Sequence, residues 1–231
     1  MPCGSLRRRP RRSGPLLTWI INNLAEIGTL LGRHIAIALP VIAIAIALSI
    51  PIGWLCSRSK RLGGPVVSGL ELLYAIPSLA LFVLIPAIFG IGLRTYANIL
   101  VVLSVYGVAV LVRTCVKAFD SVPPDVRDAA DACGFTPWKR FWAVDLPLSL
   151  PVTIPGIRVM AVSTISLVTV GSVIGIQSLG TLFTDGFQRG IMEEVATGIV
   201  LTVLFALAVD AVIMLVGRLL TPWAKAGEKC S

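Results

Sequence analysis

The sequence predicts an all-α, polytopic membrane protein with five spans, and three observations carry that prediction. Hydrophobic residues make up 56% of the 231-residue chain and charged residues only 14%, with a mean hydropathy of +0.89. Soluble domains carry about 25% charged residues. Five apolar runs are long enough to cross a hydrocarbon core of about 30 Å as helices. Basic residues collect at the ends of these runs, which is typical of membrane orientation signals rather than of nucleic-acid binding.

The N-terminal part of the chain precedes the first apolar run. Residues 1–15 hold five arginines among prolines and glycines, which predicts a disordered basic tail. Residues 16–33 carry leucines and isoleucines at helical spacing, but Asn22, Asn23 and Glu26 interrupt the apolar pattern. This pattern predicts an amphipathic helix that lies in the membrane interface. The alternative is a weak sixth span, which would bring the arginine tail to the side that carries most basic residues.

A transmembrane domain is predicted over residues 34–220, followed by a short tail over residues 221–231. The five spans are predicted at 35–55, 66–91, 97–119, 148–176 (starting near Ile154) and 195–220. Interior prolines are tolerated in membrane helices when neighbours satisfy the freed carbonyls, so the two in the first span do not exclude it. Pro77 and Pro86 predict breaks in the second span.

The distribution of basic residues predicts the orientation in the membrane. One side would carry the loop at 58–61, the polar insert at 121–148 and the C-terminus. The twelve Lys and Arg residues assigned to that side are Arg58, Lys60, Arg61, Arg113, Lys117, Arg127, Lys139, Arg140, Arg158, Arg218, Lys225 and Lys229. The opposite loops carry Arg94 and Arg189. Because an excess of Lys and Arg marks the cytoplasmic side, the insert and the C-terminus are predicted to be cytoplasmic.

The polar insert lies between two apolar runs, and its helix start and stop residues predict two short helices. Pro123–Pro124 ends the third span and opens the first helix, with Ser121 as its cap and Gly134 as its stop. Thr136–Pro137 opens the second helix, and Leu146–Pro147 ends it. Aromatic side chains recur on one face of the second helix and are expected to anchor it on its own domain. They are Trp138, Phe141 and Trp142, followed on the same face by Asp145.

No enzymatic constellation stands out in the sequence. It has no Walker A pattern (GxxxxGK[ST]) for ATP binding, and no intramembrane combination of His with Glu or of Ser with Lys. The five cysteines are scattered without a CxxC pair and predict no metal site. The lone His34 opens an apolar run and is interpreted as an interfacial residue rather than a ligand. The chain is therefore expected to bind no cofactor and to catalyse no reaction itself.

A fixed spacing runs through the insert. It reads Asp128-Ala129-Ala130, three residues, Gly134, nine residues, Val144, one residue, and Leu146-Pro147. This resembles the EAA loop of bacterial ABC importer permeases, whose pattern is EAA-x3-G-x9-I-x-LP. Every spacing matches, with Asp in place of Glu and Val in place of Ile.

The resemblance implies a type I importer core of five spans with a cytoplasmic coupling helix, in the bacterial inner membrane. In such permeases the loop docks into a separate ATPase subunit. Closure of two ATPase subunits on ATP-Mg switches the spans between inward-open and outward-open states. Two permease copies, identical or sister, and an extracytoplasmic binding protein complete such importers. The residues that would form the ATPase contact by position are Asp128, Ala129, Ala130 and Gly134.

A stretch in the second span gives a narrower resemblance. Residues 74–82, which read YAIPSLALF, are similar to the IPSLAL stretch of glycine betaine, choline and carnitine importer permeases. The resemblance implies translocation of an osmoprotectant, one of those three or proline betaine, delivered by a binding protein. Two alternatives stay open: a methionine- or oxyanion-type importer permease and, from another class, a membrane channel or scaffold.

Polar residues inside the spans are candidates for the translocation path. Pro77 frees a carbonyl near mid-membrane with Ser78 beside it, which suits either a pore-lining kink or a packing kink. Four hydroxyl residues of the fourth span could line a polar path or pack at a helix interface: Thr164, Ser166, Thr169 and Ser172. Asp210 lies inside the fifth span and is expected to reach cytoplasmic water or a partner such as Arg113.

Overall fold

The computed structural model describes residues 16–223, a chain of helices joined by turns. In chain order the helices are α1 (Leu16–Asn22), α2 (Leu24–Arg58), α3 (Lys60–Ala75), α4 (Ser78–Phe89), α5 (Tyr96–Asp120), α6 (Pro124–Ala132), α7 (Pro137–Arg140), α8 (Leu146–Val170), α9 (Gly180–Arg189) and α10 (Met192–Leu220). A π-helical turn, Phe141–Asp145, joins α7 to α8, and a 3₁₀ turn, Gly171–Ile174, follows α8. The predicted basic tail over 1–15, and residues 224–231 of the predicted C-terminal tail, lie outside the described residues.

The helix of the first span is longer than the sequence predicts. Helix α2 runs without interruption from Leu24 to Arg58, and its 35 residues extend over about 52 Å. The predicted separate helix over 16–33 is therefore wrong in its C-terminal bound, because the turn falls at Asn23. Glu26 lies in the first turn of α2, where the helix dipole favours a carboxylate.

Helix α5 forms the centre of the bundle. Its most apolar stretch is 61% buried, against 6% for that of α10, and it packs against α2, α3, α4 and α8. Gly107 permits a close approach to α2, since a Cβ there would lie 2.8 Å from the Cβ of Ala45. Small residues at such crossings let membrane helices pack closely. The largest side chains buried around α5 include Phe82, Leu103, Phe119, Met160 and Ile165.

The second span is broken at Pro77, as the sequence predicts. Helices α3 and α4 are bent by 108° across this point. Proline has no N–H to donate, and its ring conflicts with the carbonyl one turn earlier, so α3 ends at Ala75 and α4 begins at Ser78. The second predicted break, at Pro86, does not occur, because α4 continues through it to Phe89.

Helix α5 satisfies the carbonyls that the break sets free. The hydroxyl of Tyr106 donates to the carbonyl of Ile76 and lies 3.3 Å from the carbonyl oxygen of Tyr74. Broken membrane helices persist where neighbouring groups bond the freed backbone in this way. The packing of α5 therefore stabilises the break.

Contacts between helix ends place the insert beside the C-termini of α2 and α5. The indole N–H of Trp54, in the last turns of α2, donates to Asp145 at 3.0 Å. Phe119, at the end of α5, packs against Phe141 of the π-helical turn with ring centroids 6.1 Å apart. We term this end of the bundle the insert end.

The directions of the neighbouring helices show that α3 and α4 together cross the bundle once. A Cβ on Gly217 would lie 2.9 Å from Ile154, so the C-terminus of α10 also reaches the insert end. At the opposite end the hydroxyl of Tyr96, the first residue of α5, donates to the carbonyl of Ala36 in α2. Because α2 and α5 both run toward the insert end, α3 and α4 together carry the chain back between them. The described residues therefore cross five times.

The fourth span starts earlier than predicted, at Leu146 instead of near Ile154, and α8 ends at Val170. The short helix α9 follows and was not predicted. Its first residue, Gly180, packs directly on the end of α8, since a Cβ there would lie 2.1 Å from the carbonyl oxygen of Thr169. This contact places the start of α9 at the end of the bundle opposite the insert.

Candidate coupling surface and membrane cavities

The first helix of the insert, α6, ends in a glycine cap. Gly134 has φ +77°, in the left-handed region that disfavours residues with a Cβ. Its N–H donates to the carbonyl of Asp131 at 3.0 Å, and the N–H of Phe135 donates to that of Ala130 at 3.1 Å. This Schellman pattern satisfies the last carbonyls of α6 and confirms the predicted stop. The predicted N-cap is wrong, because Ser121 instead closes the C-terminus of α5.

The structure divides the predicted ATPase-contact residues into two groups. Asp128, Ala129 and Gly134 are exposed on α6 and its cap, and we term these three residues the coupling surface. No heavy atom lies within 4 Å of a Cβ built on Gly134, so a partner can approach the backbone there. Ala130 is only 8% exposed and faces the interior of its own chain. It therefore supports α6 and adds nothing to the exposed surface.

The second helix of the insert continues into the fourth span, so the predicted stop at Leu146–Pro147 is wrong. The N–H of Leu146 donates to the carbonyl of Phe141, five residues earlier. A proline ring in a regular helix conflicts with the carbonyl four residues earlier, and the wider π-helical turn relieves that conflict before Pro147. Val144, Leu146 and Pro147, which match the second half of the spacing, lie half-buried at this junction.

A single aromatic side chain, Phe141, anchors the insert. It is 4% exposed and packs against Trp54 and Phe119, with ring centroids 4.9 and 6.1 Å away. Trp138 and Trp142 were predicted to anchor the helix beside it, but they are 64% and 53% exposed. They pack on the outer side of Phe141, at 5.7 and 5.0 Å. Exposed indoles at the end of a bundle are typical of the membrane–water interface.

A buried ion-pair network ties α6 to the membrane helices, and we term it the Asp145 joint. The Asp145 side chain is 3% exposed, and its Oδ2 accepts the indole N–H of Trp54 at 3.0 Å. Arg127 of α6 lies 3.2 Å from Oδ1, and Arg140 lies 3.7 Å from Oδ2. Arg140 also pairs with Asp131 of α6. The joint thus links α6 to α2 and to the start of α8.

A cavity of about 330 Å³ opens at the break in the second span, and we term it the Pro77 cavity. Ser78, beside Pro77, lines it together with Thr164 and Ser166 of α8, so the structure brings these three predicted path residues together. Like Ser172, Thr169 is a predicted path residue that is not part of the lining. Its hydroxyl donates to the carbonyl of Ser166 at 2.6 Å, close to the end of α8.

A larger cavity of about 670 Å³ lies between α8 and α10, with an ion pair in its wall. Two hydrogen bonds of 2.6 and 2.7 Å run from the guanidinium of Arg158 to the carboxylate of Asp210. The predicted partner of Asp210 was wrong, since Arg113 lies 3.1 Å from Glu71. Arg158, which was counted with the basic residues of the cytoplasmic side, lies about three turns inside α8.

The two cavities adjoin along α8, where Val162, Ser163 and Ser166 line both. Sequence reasoning did not find the Arg158–Asp210 pair. The available signal was one Arg and one Asp, each inside an apolar span. A single charge in hydrocarbon is costly, so two opposite ones are expected to meet.

A family model described as "Binding-protein-dependent transport system inner membrane component" matches residues 49–226. That range includes the break at Pro77, the coupling surface and both cavities. The chain belongs to this family. It is a multi-pass permease subunit of an ABC importer and not itself an enzyme. Among the described residues, no group of three or more His, Cys, Asp or Glu side chains could hold a metal ion.

Curated relatives match this permease over nearly its full length. It is 31% identical to the osmoprotectant import permease protein OsmW of Salmonella typhimurium (strain LT2), over 88% of this chain and 96% of that protein. It is 26% identical to the glycine betaine/carnitine/choline transport system permease protein OpuCB of Bacillus subtilis (strain 168), over 93% of this chain and 97% of that protein.

Solved structures show the same fold at lower identity. A chain of the MetNI methionine ABC transporter, in inward-facing conformations, superposes with a TM-score of 0.74 at 19% identity, covering 90% of this chain and 99% of that chain. An amino acid ABC transporter with histidines gives a TM-score of 0.72 at 16% identity, covering 89% and 99%. The fold is that of a type I ABC importer permease.

Proposed function

We propose that this permease translocates an osmoprotectant, namely glycine betaine, choline, carnitine or proline betaine, into the cytoplasm. The observation that carries the proposal is the near-full-length likeness to permeases named for these compounds, at 31% and 26% identity. The YAIPSLALF stretch at the Pro77 break supports the same substrate class. The methionine transporter resembles this chain in fold, at 19% identity, which makes a methionine-type importer the second candidate.

In this proposal a separate ATPase dimer hydrolyses ATP-Mg, and each permease receives one ATPase subunit at its coupling surface. Asp128 supplies an exposed charge there, and Ala129 and Gly134 let the partner come close to the backbone. Movement of α6 then reaches the membrane through the Asp145 joint, because buried ion pairs resist separation. Helix α8 begins at that joint and lines both cavities.

The insert end faces the cytoplasm in this proposal, and the binding protein docks at the opposite end. Basic residues support the orientation, since Lys and Arg accumulate in cytoplasmic segments. The insert end carries Arg58, Lys117, Arg127, Lys139, Arg140 and Arg218, and the opposite end carries Arg33, Arg94 and Arg189.

A second permease copy, identical or sister, completes the path. The Arg158 and Asp210 side chains are 39% and 22% exposed within the spans, and such an ion pair is costly against lipid. This cost supports a place for the α8–α10 face against a second copy, or against the water-filled path between two copies.

The coupling role is tested with Gly134→Asp, matched by Gly90→Asp. Both glycines have positive φ, +77° and +67°, and open space around a Cβ, so the backbone strain is similar. Only Gly134 belongs to the coupling surface. We expect Gly134→Asp to insert normally but to abolish uptake and weaken co-purification with the ATPase, while Gly90→Asp keeps its ATPase. Unchanged uptake and co-purification in Gly134→Asp would contradict the role.

The substrate is tested by uptake in a deletion strain with and without the gene, at raised osmolarity. Labelled glycine betaine, choline, carnitine and methionine are compared. We expect gene-dependent uptake of at least one quaternary ammonium compound and none of methionine. Gene-dependent uptake of methionine alone would establish the second candidate instead.

A further inference from the structure

Two aromatic rings form one wall of the Pro77 cavity. Tyr74, near the end of α3, and Tyr106, in α5, have ring centroids 5.5 Å apart and ring planes at 61°. Both line the cavity together with the hydroxyl-bearing residues Ser78, Ser163 and Thr164. None of the described residues that line it carries a charge. The cavity therefore combines aromatic rings with neutral polar groups.

The backbone of the break holds this wall in place. The hydroxyl of Tyr106 donates to the carbonyl of Ile76 and lies close to that of Tyr74, and the Tyr106 side chain is only 7% exposed. Because its hydroxyl is committed to the backbone, what Tyr106 offers to the cavity is its ring. Tyr74 is 52% exposed and is free to be contacted by a molecule in the cavity.

This combination suits one class of ligand. A quaternary ammonium has no N–H to donate, and proteins bind it through the faces of aromatic rings. Neutral hydroxyls around the rings leave the cation without a counter-charge that would delay its release. The volume of about 330 Å³ falls within the range of roughly 300–1,000 Å³ for small-molecule pockets.

We infer that Tyr74 and Tyr106 form a contact site for the quaternary ammonium group of the substrate inside the permease. The inference rests on the proposed function and deepens it, because it gives the membrane subunit a part in recognition beside the binding protein. The carboxylate in the adjoining cavity is less suited to this role, since Arg158 bonds both oxygens of Asp210.

The test measures equilibrium binding of labelled choline to the complete permease–ATPase complex in lipid nanodiscs, without binding protein. Unlabelled tetramethylammonium and 3,3-dimethylbutan-1-ol, the neutral carbon isostere of choline, compete for the site. We expect tetramethylammonium to displace choline and the neutral isostere to be about ten-fold weaker or worse, since only the cation interacts with the ring quadrupole.

The variants separate the ring from its hydroxyl. We expect Tyr74→Leu to weaken choline binding by about 5- to 30-fold, the range of a partly to fully desolvated cation–π contact, and Tyr74→Phe to stay within about two-fold. Glycine betaine should lose affinity equally, since it shares only the trimethylammonium group with choline. Co-purification with the ATPase shows that each variant is assembled.

Two negative outcomes are distinguishable. If the wild-type complex transports choline or glycine betaine but Tyr74→Leu binds them as tightly as wild type, the contact site is wrong and the proposed function stands. The contact site is equally wrong if the neutral isostere competes as well as tetramethylammonium. If the wild-type complex neither binds nor transports any quaternary ammonium compound, the proposed function fails.

Discussion

The Asp145 joint and the Arg158–Asp210 pair both set an aspartate against arginine, but they differ in burial and in surroundings. The Asp145 side chain is 3% exposed and meets three partners, Trp54, Arg127 and Arg140. Asp210 is 22% exposed, meets Arg158, and borders a cavity of about 670 Å³. The aspartate–arginine contact is therefore closed to solvent at the insert end and open to a cavity between the spans.

The difference assigns the two regions different mechanical roles. A buried charge that loses a partner is left uncompensated, so we expect the Asp145 joint to resist rearrangement and, in the proposed function, to transmit movement of α6. An ion pair beside a cavity can exchange its partner for water, for a ligand or for a second protein. We therefore expect the insert end to keep its arrangement during transport and the walls of the cavities to rearrange.

The largest effect on stability is expected from Asp145→Ala. The change leaves Arg127 without its carboxylate and Arg140 with only the exposed Asp131, and breaking a buried ion pair lowers the free energy of unfolding by about 3–5 kcal/mol. Uptake should be lost as well, because α6 is no longer held to α8. Thermal unfolding of the purified permease in detergent, together with uptake in cells, measures both effects.

Asp131→Ala is the matched control for this prediction. Asp131 pairs with the same Arg140, but its side chain is 51% exposed. Exposed ion pairs contribute only about 0–1 kcal/mol. Equal shifts of the unfolding transition in the two variants would show that the Asp145 joint is no more than a surface network.

A smaller effect is expected from Trp54→Phe, which removes one donor from the joint and keeps an aromatic ring against Phe141. Hydrogen bonds to charged groups contribute about 1.5–3 kcal/mol, so the free energy of unfolding should decrease by an amount in that range. Trp138→Phe controls for the loss of ring size, since Trp138 packs on Phe141 from the outer side and is 64% exposed. If Trp138→Phe is as unstable as Trp54→Phe, the hydrogen bond of the Trp54 indole N–H does not explain the loss of stability.

The spans themselves were predictable because the forces that define them are local. Helices α5 (Tyr96–Asp120) and α10 (Met192–Leu220) begin and end within three residues of the predicted spans. Long apolar runs leave few alternatives in a bilayer, where every backbone group must be bonded internally. The break at Pro77 was predictable for the same reason, since the missing N–H acts on its own helix.

The Asp145 joint was not predictable, because packing brings distant positions together, and for the second site the sequence indicates only that opposite charges inside two spans should meet. Trp54 and Asp145 are separated by 91 positions, and Arg158 and Asp210 by 52. No periodicity relates such pairs. The junction at Pro147 escaped prediction differently, because a π-helical turn absorbs a proline that would end a regular helix.

The smallest effect on stability, and the clearest separation of transport from folding, is expected from Asp210→Asn. The change keeps the shape of the side chain and removes its charge, and Arg158 remains 39% exposed to the cavity. The unfolding transition should therefore shift less than in Asp145→Ala, while uptake falls because an unpaired guanidinium alters the wall of the path.

The exchanged variant, Arg158→Asp with Asp210→Arg, restores the pair with reversed order and should recover part of the uptake. If Asp210→Asn destabilises the permease as strongly as Asp145→Ala, the pair is a second fixed joint, and the contrast between closed and open sites does not hold. If the exchanged variant folds normally but stays inactive, transport depends on which helix carries the positive charge and which the negative one, and not on their pairing alone.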